Sequence, residues 1–137
     1  MAESIPEGFA PHFRKSGLTD PWEPLYSRNT GESIWIGLRA GPAHANSRGF
    51  VHGALITALA DNAMGLSCGL FLTGISGLVT VGLSLDFLST ARLGQWLEIR
   101  PTVLRTGKTL SFCTATIYAD ETVCARANAT FRALQAA

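Results

Sequence analysis

Apolar and polar residues alternate along most of the chain beyond residue 78. The alternation is clearest at five apolar positions separated by small or polar ones: Val79, Val81, Leu83, Leu85 and Phe87. It predicts a half-buried strand of about ten residues. Further strands are predicted over ESIWIGLRA, over QWLEIRPTVLR, where Pro101 favours an edge position or a bulge, and over LSFCTATIY and VCARANATF. The ADET turn between the last two indicates a long hairpin.

Residues 53–68 follow a helical period instead. At about 100° per residue, one stripe of apolar side chains forms: Leu55, Ile56, Leu59, Ala63 and Leu66. Asp61 falls opposite this stripe, on a face of small residues: Ala54, Thr57, Ala58, Gly65 and Cys68. An exposed helix face normally carries Lys, Glu and Gln. We therefore expect a second chain, a ligand, or both to approach the face that holds Asp61.

One long helix and about five strands together predict the α+β class. A curved antiparallel sheet wrapped around one central helix would bury the apolar stripe of that helix. The 137 residues suit a single domain over 1–137, with residues 1–30 as an N-terminal arm or short helix and residues 31–134 as the core.

The amino-acid composition limits the kinds of partner that we expect the protein to bind. Eleven basic and ten acidic residues give a net charge of +1, which disfavours nucleic acid. Three distant cysteines among apolar or small neighbours are typical of reduced core thiols, and the N-terminus lacks the basic start and apolar block of a signal peptide, so a cytoplasmic protein is expected. Residues 63–85 are uncharged over the length of a membrane span, but their glycines and the TGISG turn favour a helix, a loop and a strand, so no membrane is expected as a partner.

Asp61 requires an explanation, because a carboxylate buried in an apolar run without partners is costly. Taken singly, Asp61 could be a solvated or internally bonded acid, His52 a helix cap, and Asn46 a loop residue. The sequence holds neither a zinc-type cluster of His and Cys nor the G-x-S-x-G motif of serine hydrolases, so no metal is expected.

The stretch HANSRGFVHGALITALADNA resembles the signature of the PaaI-like acyl-CoA thioesterases, which have the hot-dog fold and belong to the 4-hydroxybenzoyl-CoA thioesterase-like superfamily. That signature is H-x-N-x-x-G-x-V/L-H-G-G followed by an aspartate on the central helix. The similarity continues through VTVGLSLDFLSTARLGQWLEIRPTVLRTGKTLSF and ETVCARANATFR, from about Ile34 to Arg132. The chain departs from the family at Ala54, where a methyl group replaces a glycine and could narrow the acyl pocket, and at Thr90, where the family has proline.

The resemblance implies that Asp61 is the catalytic carboxylate, either a general base toward water or a nucleophile toward the thioester carbonyl. The backbone N–H of Gly53 would stabilise the developing oxyanion from the helix N-terminus. Asn46 would position water or substrate, and His52 would lie beside the thioester. Thr80 would contribute its hydroxyl from the partner subunit, so that the site straddles two chains.

The implied reaction is hydrolysis of an acyl-CoA thioester, which needs no cofactor because coenzyme A is part of the substrate. Three cations are candidates for the CoA phosphates, although each is equally well a solvated charge: Arg92, Arg105 and Lys108. The sequence does not identify the acyl group of the substrate. Four large apolar residues are candidates for the pocket that binds it: Met64, Phe71, Leu72 and Trp96.

A homodimer is the expected minimum and a homotetramer the favoured assembly. The small-residue helix face and bulky groups such as Trp96 on the far side of the sheet would otherwise leave apolar area uncovered. Two alternative functions remain: a non-catalytic acyl-CoA or acyl-carrier binding module, against which Asp61 argues, and hydration or dehydration of an acyl thioester, which uses other helix patterns.

Overall fold

The computed structural model describes residues 4–136, in which seven strands form one antiparallel sheet and one α-helix packs on it. The strands are β1 (Ala10–Pro11), β2 (Tyr26–Asn29), β3 (Ile34–Arg39), β4 (Ile75–Phe87), β5 (Trp96–Thr106), β6 (Leu110–Ala119) and β7 (Thr122–Gln135). The helix, α1, spans Gly53–Gly69, and two short 3-10 helices span Asp20–Trp22 and Pro42–His44. The strand order is β1-β2-β3-β5-β6-β7-β4.

The core lies between α1 and the inner face of the sheet. Small side chains on β6 and β7 face the helix, alternate with outward-facing residues, and allow the helix to approach the sheet closely. These small buried residues are Cys113, Ala115, Ala119, Ala125, Ala127 and Ala129. Leu59 and Met64 of the helix are completely buried against this surface. The predicted α+β architecture, with one helix on a curved antiparallel sheet, is confirmed.

The buried stripe of α1 keeps four of the five predicted residues and also includes Ala60, Met64, Ser67 and Cys68. Leu66 is only half-buried, whereas Cys68, expected on the face of Asp61, is completely buried. The cause is Ser67, whose Oγ accepts a hydrogen bond from the backbone N–H of Ile34 at 2.9 Å and so holds the start of β3 against the last turns of the helix. Cys113 and Cys124 are also buried, and all three cysteines are free, as expected.

The sheet has seven strands rather than about five because the N-terminal segment, residues 4–29, adds β1 and β2. β4, in which residues 79–87 are predicted to form a half-buried strand, is the far edge strand and is largely exposed, with Val81 at 55% and Phe87 at 53% of their maximal accessibility. The described residues include no helix that is both long and apolar enough to cross a membrane.

Pro101 lies in β5, which is central in the strand order but has a free edge at this residue, in agreement with the predicted edge position. Proline is tolerated there because the pairing of β5 with β3 ends at Ile36 and Ile99. Beyond Ile99, β5 pairs only with β6, where Pro101 lies opposite Ala115. The missing N–H of Pro101 therefore removes no bond to β3.

The sequence predicts that Trp96 is exposed on the outer face of the sheet, but its side chain is buried, with only 6% of its surface accessible. The N-terminal segment covers it, with the Phe9 ring 5.3 Å away in an edge-to-face arrangement and the Tyr26 ring 6.0 Å away. Gly37 makes room for the indole, since a Cβ there would overlap Cζ2 of Trp96 and lie 3.1 Å from Phe9 Cε1.

We predict that Gly37→Ala lowers the free energy of unfolding by about 1–3 kcal/mol, because the added methyl displaces the Trp96 ring. The matched control is Gly77→Ala in β4, where a Cβ would meet no atom within 4 Å; its effect should stay below about 0.5 kcal/mol. Urea denaturation at one fixed protein concentration measures both. Equal effects of the two substitutions would contradict the proposed packing.

Candidate active site

Asp61 and Thr80 form one half of the candidate site. Asp61 lies half-buried on α1, and Thr80 Oγ1 donates a hydrogen bond to its Oδ1 at 2.6 Å. The pairing of β4 with β7 shifts register between Thr80 and Gly82, which marks a bulge. Bulges re-aim side chains beside functional sites. The bond to Thr80 fixes the Asp61 carboxylate, while Oδ2 has no partner within residues 4–136.

This bond corrects one expectation. Thr80 had been expected to reach Asp61 of a partner subunit, but the two residues belong to the same chain. The reason is topological: the chain turns back after α1, and β4 then runs beside the helix as the edge strand.

His52 caps the N-terminus of α1. Its Nδ1 accepts a hydrogen bond from the backbone N–H of Ala54 at 2.9 Å, so the proton of the neutral ring is on Nε2. The N–H groups of Leu55 and Ile56 donate to the carbonyl of His52 at 3.1 and 3.3 Å. Among the described residues, the N–H of Gly53 has no acceptor. The helix therefore presents one unused donor at its positive end.

Asn46 shapes the loop that leads to this helix terminus. Its Oδ1 accepts hydrogen bonds from the backbone N–H groups of Arg48 and Phe50, at 2.9 and 3.1 Å. The side-chain amide NH₂ of Asn46 remains available as a donor. Asn46, His52 and Gly53 thus form a second half of the site, around the N-terminus of α1.

The two halves are separated within one chain. Asp61 follows Gly53 by slightly more than two helical turns, about 12 Å at the usual rise. An oxyanion donor and a group that attacks the same carbonyl must each lie within roughly 3 Å of it. The chain therefore brings together Asp61 with Thr80, and Asn46 with His52 and Gly53, but not both sets at one thioester.

A cavity of about 490 Å³ opens beside Asp61, between the N-terminal segment, α1 and the start of β4. Its walls include residues that the sequence did not single out as site residues: Phe13, Arg14, Asn29, Asn62, Ser76 and Leu78. None of the four residues considered for the acyl pocket lines it, since Met64 and Trp96 are buried elsewhere and Phe71 faces another groove.

His12 anchors the N-terminal segment next to Asp61. Its ring is 2% accessible, and Nε2 lies 3.0 Å from Oδ1 of Asn62. An amide oxygen only accepts, so Nε2 carries the proton, and Nδ1 is left buried without a partner. Burial lowers the pKa of His12, an effect that the hydrogen bond to Asn62 partly offsets. The bond links residues fifty positions apart, which no local pattern reveals.

The three cations proposed for the CoA phosphates do not converge. Arg92 pairs with Phe50 beside the loop of Asn46, before β5 begins. Arg105 and Lys108 lie at the other end of β5, in and next to the hairpin to β6. All three residues are exposed. Among the described residues, no group of three His, Cys, Asp or Glu side chains could hold a metal ion.

Comparison with known proteins gives consistent matches. The family described as the thioesterase superfamily matches residues 48–125. The Pseudomonas aeruginosa protein named "Putative esterase PA0474" is 36% identical over 129 residues, 93% of this chain and 96% of that protein. Human acyl-coenzyme A thioesterase 13 is 36% identical over 69 residues, 50% of this chain and 49% of that protein.

Two solved structures extend the comparison. The phenylacetic acid degradation protein PaaI of Thermus thermophilus superposes with a TM-score of 0.72 at 17% identity, covering 80% of this chain and 93% of that one. The protein smu.793 of Streptococcus mutans, solved with acetyl CoA bound, gives a TM-score of 0.69 at 25% identity, covering 76% of this chain and 82% of that one.

We predict that acidification destabilises the protein through His12. The unfolded ring gains a proton as the pH falls through 6.5, whereas the buried ring resists it, so the unfolded state is favoured below that pH. The loss should approach at most about 1.4 kcal/mol per pH unit. His12→Gln, which can still donate to Asn62, should show a shallower decline between about pH 7.5 and about pH 5.5. Thermal denaturation at each pH measures the stability of both proteins. If His12→Gln loses stability as steeply as the wild type, His12 is not the group responsible.

Proposed function

Since the chain belongs to the thioesterase superfamily and has the hot-dog fold of the PaaI-like thioesterases, we propose that it hydrolyses an acyl-CoA thioester to a free acid and coenzyme A. The observation that carries this proposal is the Asp61 carboxylate, which Thr80 holds at 2.6 Å on the wall of a cavity. A binding protein needs no such acid beside a carbonyl group.

In the proposed reaction, Asp61 Oδ2 removes a proton from water while the water oxygen adds to the thioester carbon. The C–S bond then breaks, and the sulfur of coenzyme A leaves with the proton that Asp61 returns. Direct attack by the carboxylate, followed by hydrolysis of the mixed anhydride, is the other route open to the same atoms. Neither route uses a cofactor.

We place the catalytic constellation between two copies of the chain. One copy would supply the Gly53 N–H and the Asn46 amide, with His52 beside them, and the other would supply Asp61 with Thr80. The 12 Å that separate these groups in one chain, by the estimate above, support this arrangement. So does the exposed edge of β4, because an unpaired apolar edge strand is a surface that a second copy can cover.

In this arrangement, the three cations considered for the phosphates of coenzyme A belong to different halves of the site. Arg92 would lie with the half that contains Gly53. Arg105 and Lys108 would lie with the half that contains Thr80. Thr80 of β4 pairs with Phe131 of β7, and Phe131 in turn pairs with the hairpin end of β6, next to these two cations. We propose that the phosphates of coenzyme A meet cations from these two ends.

We predict that Asp61→Asn keeps the fold and lowers kcat by about a hundredfold to ten-thousandfold, because the amide is equally large but neither a base nor a nucleophile. Asp86→Asn is the matched control: it removes an exposed carboxylate of β4 that pairs with Arg126 and should leave turnover unchanged. A panel of short, medium, branched and aryl acyl-CoAs with free-thiol detection measures activity, and circular dichroism checks the fold. Retention of half the activity by Asp61→Asn would exclude Asp61 as the catalytic group.

We predict that mixed dimers distinguish a shared site from a single-chain site. Asn46→Ala should lower kcat less than Asp61→Asn. After subunit exchange between these two variants, half of the sites in each mixed dimer would combine an intact Asn46 with an intact Asp61, so the activity of the mixture should rise above the average of the two parents.

Thr80→Val provides the control for that experiment. Mixing it with Asp61→Asn should restore nothing, because Thr80 serves Asp61 of its own chain. Mass spectrometry confirms exchange in both mixtures. No recovery in the first mixture, or recovery in the second, would contradict the proposed division of the site.

A further inference from the structure

The N-terminal segment forms a fixed wall of the cavity beside Asp61. β1 pairs with β2, the backbone N–H of His12 donates to Leu25 O at 2.9 Å, and the His12 ring bonds Asn62. Phe13 and Arg14 follow immediately and line the cavity. The buried bonds of His12 therefore fix the backbone from which the exposed side chains of Phe13 and Arg14 extend.

Three side chains that line the cavity offer hydrogen-bond donors: Arg14 and Asn29 of the N-terminal wall and Asn62 of α1. Asn62 Oδ1 accepts from His12, and Asn29 Oδ1 accepts from the N–H of Gly31 at 2.8 Å, while the NH₂ group of each amide has no partner among the described residues. Arg14 forms neither an ion pair nor a hydrogen bond with another residue of the described range, although Asp61 lines the same cavity. A group that only accepts hydrogen bonds would satisfy these donors.

The remaining cavity walls are largely apolar and run from Asp61 along α1. Leu66 and Leu70 come from the helix, Leu78 from β4 and Phe131 from β7. Gly65 allows Phe131 to lie against the helix, since a Cβ there would be 3.3 Å from Cε1 of the ring. A hydrocarbon chain fits these walls, and its polar end would meet the donors of the N-terminal wall.

We propose that the cavity binds the acyl part of an ω-carboxyacyl thioester, with Arg14 pairing with the distal carboxylate and the free amide groups of Asn29 and Asn62 beside it. This inference rests on the proposed function and names its substrate class. A planar guanidinium matches a carboxylate with two parallel hydrogen bonds, which neither a hydroxyl nor a carbonyl group offers. The positive charge also offsets the repulsion that the acyl carboxylate would otherwise meet from Asp61.

The phosphates of coenzyme A are the other anions that Arg14 could bind. We favour the acyl carboxylate because Arg14 shares one cavity with Asp61, whose carboxylate acts on the thioester carbonyl, and with the apolar residues that would hold the acyl chain. The two sources differ in one measurable respect: a phosphate is present in every acyl-CoA, whereas the distal carboxylate is present only in the ω-carboxyacyl ones.

The test compares adipoyl-CoA with hexanoyl-CoA, which have acyl chains of equal length. The wild type should have the higher kcat/KM on adipoyl-CoA. Arg14→Gln should lower the adipoyl-to-hexanoyl ratio by about tenfold to a hundredfold, the effect of one charged hydrogen-bonded pair, and Arg14→Lys should lower it less. Lys15→Gln removes the same charge from the next residue, which pairs with Glu23 outside the cavity, and should keep the ratio.

A wild type that prefers hexanoyl-CoA, or an Arg14→Gln variant that lowers both substrates equally, would overturn the proposal; the latter would assign Arg14 to the phosphates. Calorimetric binding of carboxypentyl-CoA and hexyl-CoA, thioethers that cannot be hydrolysed, separates this proposal from the proposed function. If no thioester is hydrolysed, the function fails, and the ratio of the two thioether affinities in the wild type and in Arg14→Gln still decides the role of Arg14.

Discussion

The fixed rise of α1 is the constraint on which the site depends. A helix cannot bring its first N–H close to a carboxylate two turns further along, so Gly53 and Asp61 of one chain stay about 12 Å apart. The Thr80 bond then places the carboxylate with β4, away from the helix terminus. Under the proposed function, a second copy must close this distance. The small residues on the same helix face, Ala54 and Ala58 among them, leave room for that approach.

β4 links assembly to chemistry in the same proposal. It ends the sheet with apolar side chains exposed and one row of backbone groups unpaired, a combination that isolated domains usually avoid. It also carries Thr80 and the bulge that turns this residue toward α1. Covering the β4 edge with a second chain would therefore bury apolar surface and hold the hydroxyl that orients Asp61. Stability of the assembly and geometry of the carboxylate would depend on one strand.

Local periodicity predicted the parts of the fold whose burial is decided locally. The helix over residues 53–69 and the hairpin of β6 and β7 follow from spacing that one element carries by itself. Contacts between distant segments decided the rest. Cys68 is buried because β3 docks on Ser67, and Trp96 is covered by Phe9, neither of which leaves a periodic trace. β1 and β2 are too short to show a pattern.

The candidate site divides in the same way. Its motif residues lie within one continuous stretch, except Thr80, and a family resemblance could locate them; the pairing of Thr80 with its own chain required the topology. The N-terminal wall of the cavity had no signal at all, because His12 meets Asn62 across fifty positions. Yet a buried imidazole with one unpartnered nitrogen is destabilising by itself, so its bond to Asn62 and the packing around the segment must offset that loss. A wall held in this way has an ordered backbone before any ligand arrives, so recognition by Arg14 would restrict its exposed side chain but would cost little backbone freedom.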